Sequence, residues 1–364
     1  MPKLISMATI NILLFMVFSS CGEMDLSSSV TEVDPIFIDS LFIGYDLEKG
    51  PGAAVMIIKE GNIIISEGYG SANLESETPI SIESNFRLAS ITKQFTAMCI
   101  MILKNKGQLN YETTLTEIFE SFPSYGNAIT IRHLLNHTSG LVDYESLILD
   151  DAIEQVSDMD VYTMMLGLNS TYFAPGTDYR YSNSGYAVLA MIVEEKSGLT
   201  FAEFLEENIF LPLEMNNSIA HQEGLSNITN RAYGYSQGYD GYNLDDQSLT
   251  SAVLGDGGIY TSLNDMFRWD QSLYVDTLIP FKILNEAFTS GELLNGEKTG
   301  YGFGWRVDSY FYRKRIHHTG STRGFRNVFM RFPEQQISIL ILTNRNSGSP
   351  MNIAEKIADY LFDA

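Results

Sequence analysis

Ser90 and Lys93 stand three residues apart at the head of a long apolar run, Phe95 to Leu103. Ile91, Phe95, Met98, Cys99, Ile102 and Leu103 recur at helical spacing, and Ile100 and Met101 make the run apolar nearly all round. That pattern predicts a buried helix, closed by Asn105-Lys106-Gly107. A serine in its first turn would face free backbone N–H groups and the positive end of the helix dipole. A lysine at i+3 lies on the same face, and an amine that releases its proton can take one from the serine. The chemistry on offer is nucleophilic attack by Ser90 with Lys93 as base. Taken singly, the same four residues also describe a helix cap followed by an incidental lysine.

Two further groups can serve such a serine. Tyr181-Ser182-Asn183 follows the turn residues Pro175-Gly176-Thr177 and precedes an apolar helix over Tyr186 to Lys196. A phenol can relay a proton, and an asparagine can orient an amide through its donor and its acceptor. His318-Thr319-Gly320-Ser321 ends a strand. There the glycine lets a substrate lie along the edge, and the Ser321 N–H can join that of Ser90 in holding an oxyanion.

The elements that must position these groups fall in three blocks. Ala53–Lys59, Glu60-Gly61 and Asn62–Glu67 form a β-hairpin signal, apolar on both faces, so both faces need cover. Pro35 to Tyr45 reads as a short helix with Ile36, Leu41 and Phe42 on one side. Helices and loops alternate through the middle: Thr130 to Leu135, ended by Asn136-His137-Thr138-Ser139-Gly140; Tyr186 to Lys196; Phe201 to Ile209; and a capping box at Ser262 to Asp265. Strands return at Arg315–His318, Phe325–Met330 and Ile337–Thr343, and Met351 to Leu361 closes the chain as an amphipathic helix. The expected fold is α/β of the α+β kind. One antiparallel sheet is built from both chain ends and flanked by helices, with a helical insertion on one side.

Lys and Arg number 23 against 45 Asp and Glu, a net charge of −22 over 364 residues. Such a surface repels phosphate backbones, which argues against a nucleic-acid partner. The dense basic cluster Arg313-Lys314-Arg315 reads as a solvated hairpin tip. Two cysteines, Cys21 and Cys99, leave no disulfide framework, and Cys99 belongs to the buried helix. His133 and His137 are four apart but lack the accompanying glutamate of a zinc-hydrolase helix, so no metal is expected.

Residues 1–20 hold Lys3, an apolar stretch from Ile10 to Phe18 and a Ser19-Ser20 exit. They read as an export signal, too short to span a membrane. Cys21 directly afterwards resembles a bacterial lipoprotein cleavage site, and residues 21–35 read as a tether. The expected organisation is therefore signal 1–20, lipidated tether 21–35 and catalytic domain 36–364. The product would be a periplasmic or envelope lipoprotein, touching a membrane only through its lipid and monomeric.

Ser90-Ile91-Thr92-Lys93, Tyr181-Ser182-Asn183 and His318-Thr319-Gly320, in this order, resemble the serine β-lactamase and penicillin-binding protein superfamily in its class C-like branch. Leu134 to Leu141, Gly257-Gly258-Ile259-Tyr260, Tyr301 to Trp305 and Gly50 to Ala53 match as well, so the likeness runs over 36–364. The resemblance implies a serine hydrolase. In it Ser90 forms an acyl-enzyme, Lys93 and Tyr181 share proton removal, and Asn183 orients the substrate. The N–H groups of Ser90 and Ser321 hold the oxyanion, and no cofactor is needed. Where β-lactamases carry a lysine, this chain has His318. It is only partly charged near neutrality, free to bond Tyr181, and leaves Arg323 as a candidate carboxylate anchor. The expected substrate is a small molecule or peptide, an ester or a D-amino-acid amide. A β-lactamase and a penicillin-binding sensor with little turnover are the alternatives.

Overall fold

The computed structural model describes residues 33–47 and 49–363. The signal, the lipidation site Cys21 and most of the tether lie outside the described residues. A six-stranded antiparallel sheet forms the centre. Its strands are β1 (Ala53–Lys59), β2 (Asn62–Tyr69), β3 (Arg306–Tyr310), β4 (Arg313–Thr322), β5 (Phe325–Phe332) and β6 (Ile337–Thr343). The spatial order is β3-β4-β5-β6-β1-β2. The first strand therefore pairs with the last, Ala53 opposite Thr343 through to Lys59 opposite Ile337. This is the end-to-end sheet expected from the pattern of elements.

Two layers cover it, as the doubly apolar strands require. On one face lie helix α1 (Pro35–Phe42) and the last helix, α6 (Pro350–Asp363). They bury Ile38, Phe42, Ile357 and Leu361 against Val55, Ile57, Met330 and Ile339. On the other face α5 (Leu263–Ser272) meets β1 and β6, and α2 (Lys93–Asn105), α3 (Ile131–Leu135) and α4 (Asn183–Ser197) join it in one core with Met56, Ile58, Phe329 and Leu340. Adjacent strand residues serve opposite layers, the period of two that a pleated strand imposes. Asp270 of α5 locks that layer to the sheet. It accepts from Arg331 Nε at 2.9 Å and from Ser338 Oγ at 2.6 Å, and both members of the ion pair are 1% exposed.

Several expectations change. Strand β2 is largely exposed, because it is the sheet's free edge. Helix α1 buries Ile38 and Phe42, whereas Ile36 is 76% exposed. Helix Phe201–Leu205 passes into a π-helical turn, Glu206–Phe210, rather than running on as one α-helix. Strand β3 escaped the sequence pattern because Arg306-Val307-Asp308-Ser309-Tyr310 is polar and lies at the other edge. The basic cluster does flank the β3–β4 turn, but Arg315 is not solvated. It is buried and pairs with Asp308 and Glu355, each at 2.8 Å.

Candidate active site

Ser90 sits in a 3-10 turn, Ala89–Thr92, that leads into α2. Ala89 holds left-handed backbone, φ 50°, which an alanine adopts only under strain. The segment is pinned on two sides. A short strand, Phe86–Arg87, pairs with Ile259–Thr261, and Leu88 N–H donates to the Ile259 carbonyl at 2.8 Å. Strand β4 presses from the other side. A Cβ at Gly320 would lie 2.0 Å from the Leu88 oxygen, so only glycine lets the strand approach.

The buried Lys93 donates to Ser90 Oγ at 3.1 Å, to Asn183 Oδ1 at 2.9 Å and to the Asp256 carbonyl at 2.8 Å. The last two partners are carbonyl oxygens and can only accept. Asn183 opens α4 instead of lying on the preceding loop, because Ser182 caps the helix by accepting from Gly185 N–H at 3.2 Å. Its amide is oriented from both ends. The oxygen takes Lys93, and Nδ2 donates to Glu145 Oε1 at 3.1 Å.

Tyr181 reaches the same centre from above. Lys93 Nζ lies 5.0 Å from its ring centroid, and the His137 ring packs against it, tilted by 38° at 4.2 Å. Its hydroxyl is buried and makes no hydrogen bond among the described residues. The expected bond to Ser90 is thus not formed, and the phenol meets Lys93 by its face. His318 does not bond Tyr181 either. Its Nδ1 lies 2.7 Å from the Thr319 carbonyl, which can only accept, so the proton is on Nδ1. Nε2 then accepts from the Tyr301 hydroxyl at 2.9 Å. Burial holds His318 well below the usual histidine range, with the Lys93 and Arg306 charges adding to it. The side chain is therefore neutral rather than half-charged. Arg323 is half exposed and lies 3.9 Å from Asp245.

Ser90, Asn183, Glu145, Asp256 and Ser321 line one cleft of about 60 Å3. It continues past Ser321 and Thr322 into a groove of about 510 Å3 that reaches Arg323 and Asp150. Thr319 is half-buried, with its carbonyl taken by His318. A larger cavity, about 830 Å3 between Ile118 and Glu195, contains none of these residues. The spacing arguments missed Glu145, Asp256 and Tyr301. Asp256 directly precedes the Gly257-Gly258 stretch and accepts from the Tyr144 hydroxyl at 2.9 Å. Burial raises its carboxyl to about 6, against the pull of Lys93 and of that hydrogen bond. Glu145 lies on a 3-10 turn, Tyr144–Leu147, capped by Asp143, and nothing in its local sequence marks it.

Fold and cleft together define a serine hydrolase. A model of the β-lactamase family matches residues 42–362, and the chain belongs to that family. It is 34% identical over 340 residues to a penicillin-binding protein of Bacillus subtilis, covering 84% of this chain and 74% of that one. It is 27% identical over 320 residues to a D-aminopeptidase of Gluconobacter oxydans, covering 85% of this chain but 58% of the relative, so it spans under three-fifths of that protein. Among solved structures, a penicillin-binding protein homologue from Pyrococcus abyssi superposes with a TM-score of 0.78 at 25% identity, covering 91% of this chain and 78% of that chain. That homologue is octameric, so the comparison lends no support to the monomer expected here.

Proposed function

We propose that this hydrolase cleaves amides or short peptides of D-amino acids whose α-amino group is free. The observation that carries the reading is Glu145. Its carboxylate rests on Asn183 at the mouth of the cleft holding Ser90, and no cation pairs with it among the described residues. A substrate ammonium is the partner its chemistry lacks. The neutral His318 supplies no charge for the carboxylate that β-lactams and C-terminal peptides present. Arg87 borders the same cleft, but its guanidinium is engaged with the Gly257 and Ser251 carbonyls at 3.1 and 3.0 Å. The D configuration is taken from the D-aminopeptidase likeness.

In this mechanism Lys93 in its neutral form keeps two N–H bonds on Asn183 and Asp256 and turns its lone pair to Ser90, the one partner able to donate. Ser90 Oγ attacks the amide carbon while its proton passes to Lys93. The N–H groups of Ser90 and Ser321 face the developing oxyanion. Lys93, with Tyr181 above it, returns the proton to the departing amine. The acyl-enzyme is then cleaved by water activated through the same pair.

The test compares D-alanine p-nitroanilide, its N-acetyl derivative, N-acyl-D-alanyl-D-alanine and a chromogenic cephalosporin. The free amine should be preferred over the other three, and Ser90→Ala should abolish turnover. Equal turnover of the N-acetylated anilide would refute the reading. The same proposal places the enzyme outside the cytoplasm, anchored through Cys21. Metabolic labelling with a fatty acid should mark the wild type and not Cys21→Ser.

A further inference from the structure

The turn between β3 and β4 breaks a local rule. Phe311 and Tyr312 both hold left-handed backbone, with φ of 46° and 61°. Two-residue hairpin turns of this kind favour Asn and Gly, and bulky side chains are strained there. Both residues are also exposed, Phe311 at 60% and Tyr312 completely. Asn-Gly would close the same hairpin without strain and without apolar area in water. Two basic residues follow. Arg313 lies 4.1 Å over the Phe362 ring, and neither it nor Lys314 pairs with a carboxylate among the described residues.

The position of this tip gives it meaning. Phe362 packs edge-on to Phe332 at the end of β5, while Tyr360, two residues earlier, stacks on Phe37 at 4.5 Å. The start of α1, the end of α6 and the β3–β4 turn therefore share one end of the sheet. Ile36, 76% exposed, belongs to the same end. Helix α1 then runs away from it, to Phe42 against Tyr69 at the far end of β2. The active site lies toward that far end, since Gly320 is eight residues up β4 from Tyr312, roughly 26 Å. The start of α1 thus lies at the tip's end, opposite the cleft. Adjacent turns carry Glu60, with Lys59 beside it, and Glu334, so the two adjoining basic residues of this end lie at the tip.

We propose that this end docks on an anionic lipid surface. Phe311 and Tyr312 enter the headgroup layer, Arg313 and Lys314 meet lipid phosphates, and the catalytic cleft faces away. On a chain of net charge −22, one basic aromatic wedge also sets the orientation of approach.

The test uses the full chain with Cys21→Ser, so that no acyl group contributes, and vesicles of phosphatidylcholine with or without phosphatidylglycerol. Trp269 and Trp305 are buried, so Tyr312→Trp reports the tip. Its emission should shift to the blue on anionic vesicles and be quenched by brominated acyl chains. Arg313→Gln/Lys314→Gln should weaken partition about thirtyfold at low salt. Phe311→Asn/Tyr312→Gly should remove the tip's contribution while keeping hydrolysis intact and raising Tm. Unshifted, unquenched emission would overturn the proposal. So would equal partition of the tip variants and their parent, which would assign binding to the N-terminal segment alone.

Discussion

Replacing Glu145 by glutamine keeps the side chain's shape and an oxygen for Asn183 Nδ2, now 3.1 Å away, and removes only the charge. The loss depends on how much water screens the site. A carboxylate and an ammonium 4 Å apart attract by about 1 kcal/mol in bulk water and about 4 kcal/mol at an effective dielectric of 20. Glu145 is exposed at the rim, which places it near the lower figure. The expected cost of Glu145→Gln is thus about 1–2 kcal/mol, a fall of roughly five- to thirtyfold in kcat/KM. It should fall on D-alanine p-nitroanilide and spare the N-acetylated substrate. A pH series sharpens the assay. An α-amino group loses its proton near pH 8, so wild-type kcat/KM for the free amine should drop above that pH. The variant should not show the drop. Losses of equal size on both substrates would mean that Glu145 merely holds Asn183 in place. No loss on either would end the ammonium argument.

Three further outcomes follow from the geometry. Gly320→Ala should cost activity more than stability, because its Cβ would collide with the Leu88 oxygen and push the Ser90 turn away from β4; kcat with an unfolding midpoint measures both. Asp270→Ala should destabilise the fold by about 3–5 kcal/mol in chemical denaturation, since it strands a buried Arg331. Asp256 concerns pH. Its folded carboxyl is raised from 3.8 to about 6, so the fold keeps a proton that the unfolded chain has released. Stability from this group is full below pH 3.8 and lost as pH rises through 6. Relative to wild type, Asp256→Asn should therefore gain up to about 3 kcal/mol between pH 3.5 and 7, read by denaturant unfolding at each pH.

What the sequence disclosed follows from how local each signal is. The helix behind Ser90 and Lys93, the Ala53–Glu67 hairpin and the β4–β6 strands show patterns over several residues, and the structure carries them, the hairpin running on to Tyr69. Gly320 was read as room for a substrate along the strand edge, whereas the structure sets the Leu88 oxygen against it. Glu145, Asp256 and Tyr301 join the site through contacts spanning 38, 163 and 17 residues, which no local pattern encodes. His318 was expected to turn to Tyr181. The 3-D arrangement offers it Tyr301 instead, and burial settles its charge. Arg315 was misjudged because a run of three basic residues says nothing of Asp308 and Glu355, which lie opposite it on β3 and α6.

The pairing of β1 with β6 has a consequence for how the molecule is made. Residues 53–59 pair with β2 on one edge, but on the other edge their partners are residues 337–343, so nearly the whole polypeptide must be finished before the six-stranded sheet can zip. Contacts so remote along the chain delay folding, and a nascent chain remains open until its last strand emerges. A stop codon placed just before Ile337 should therefore leave an unfolded product, not a shortened enzyme.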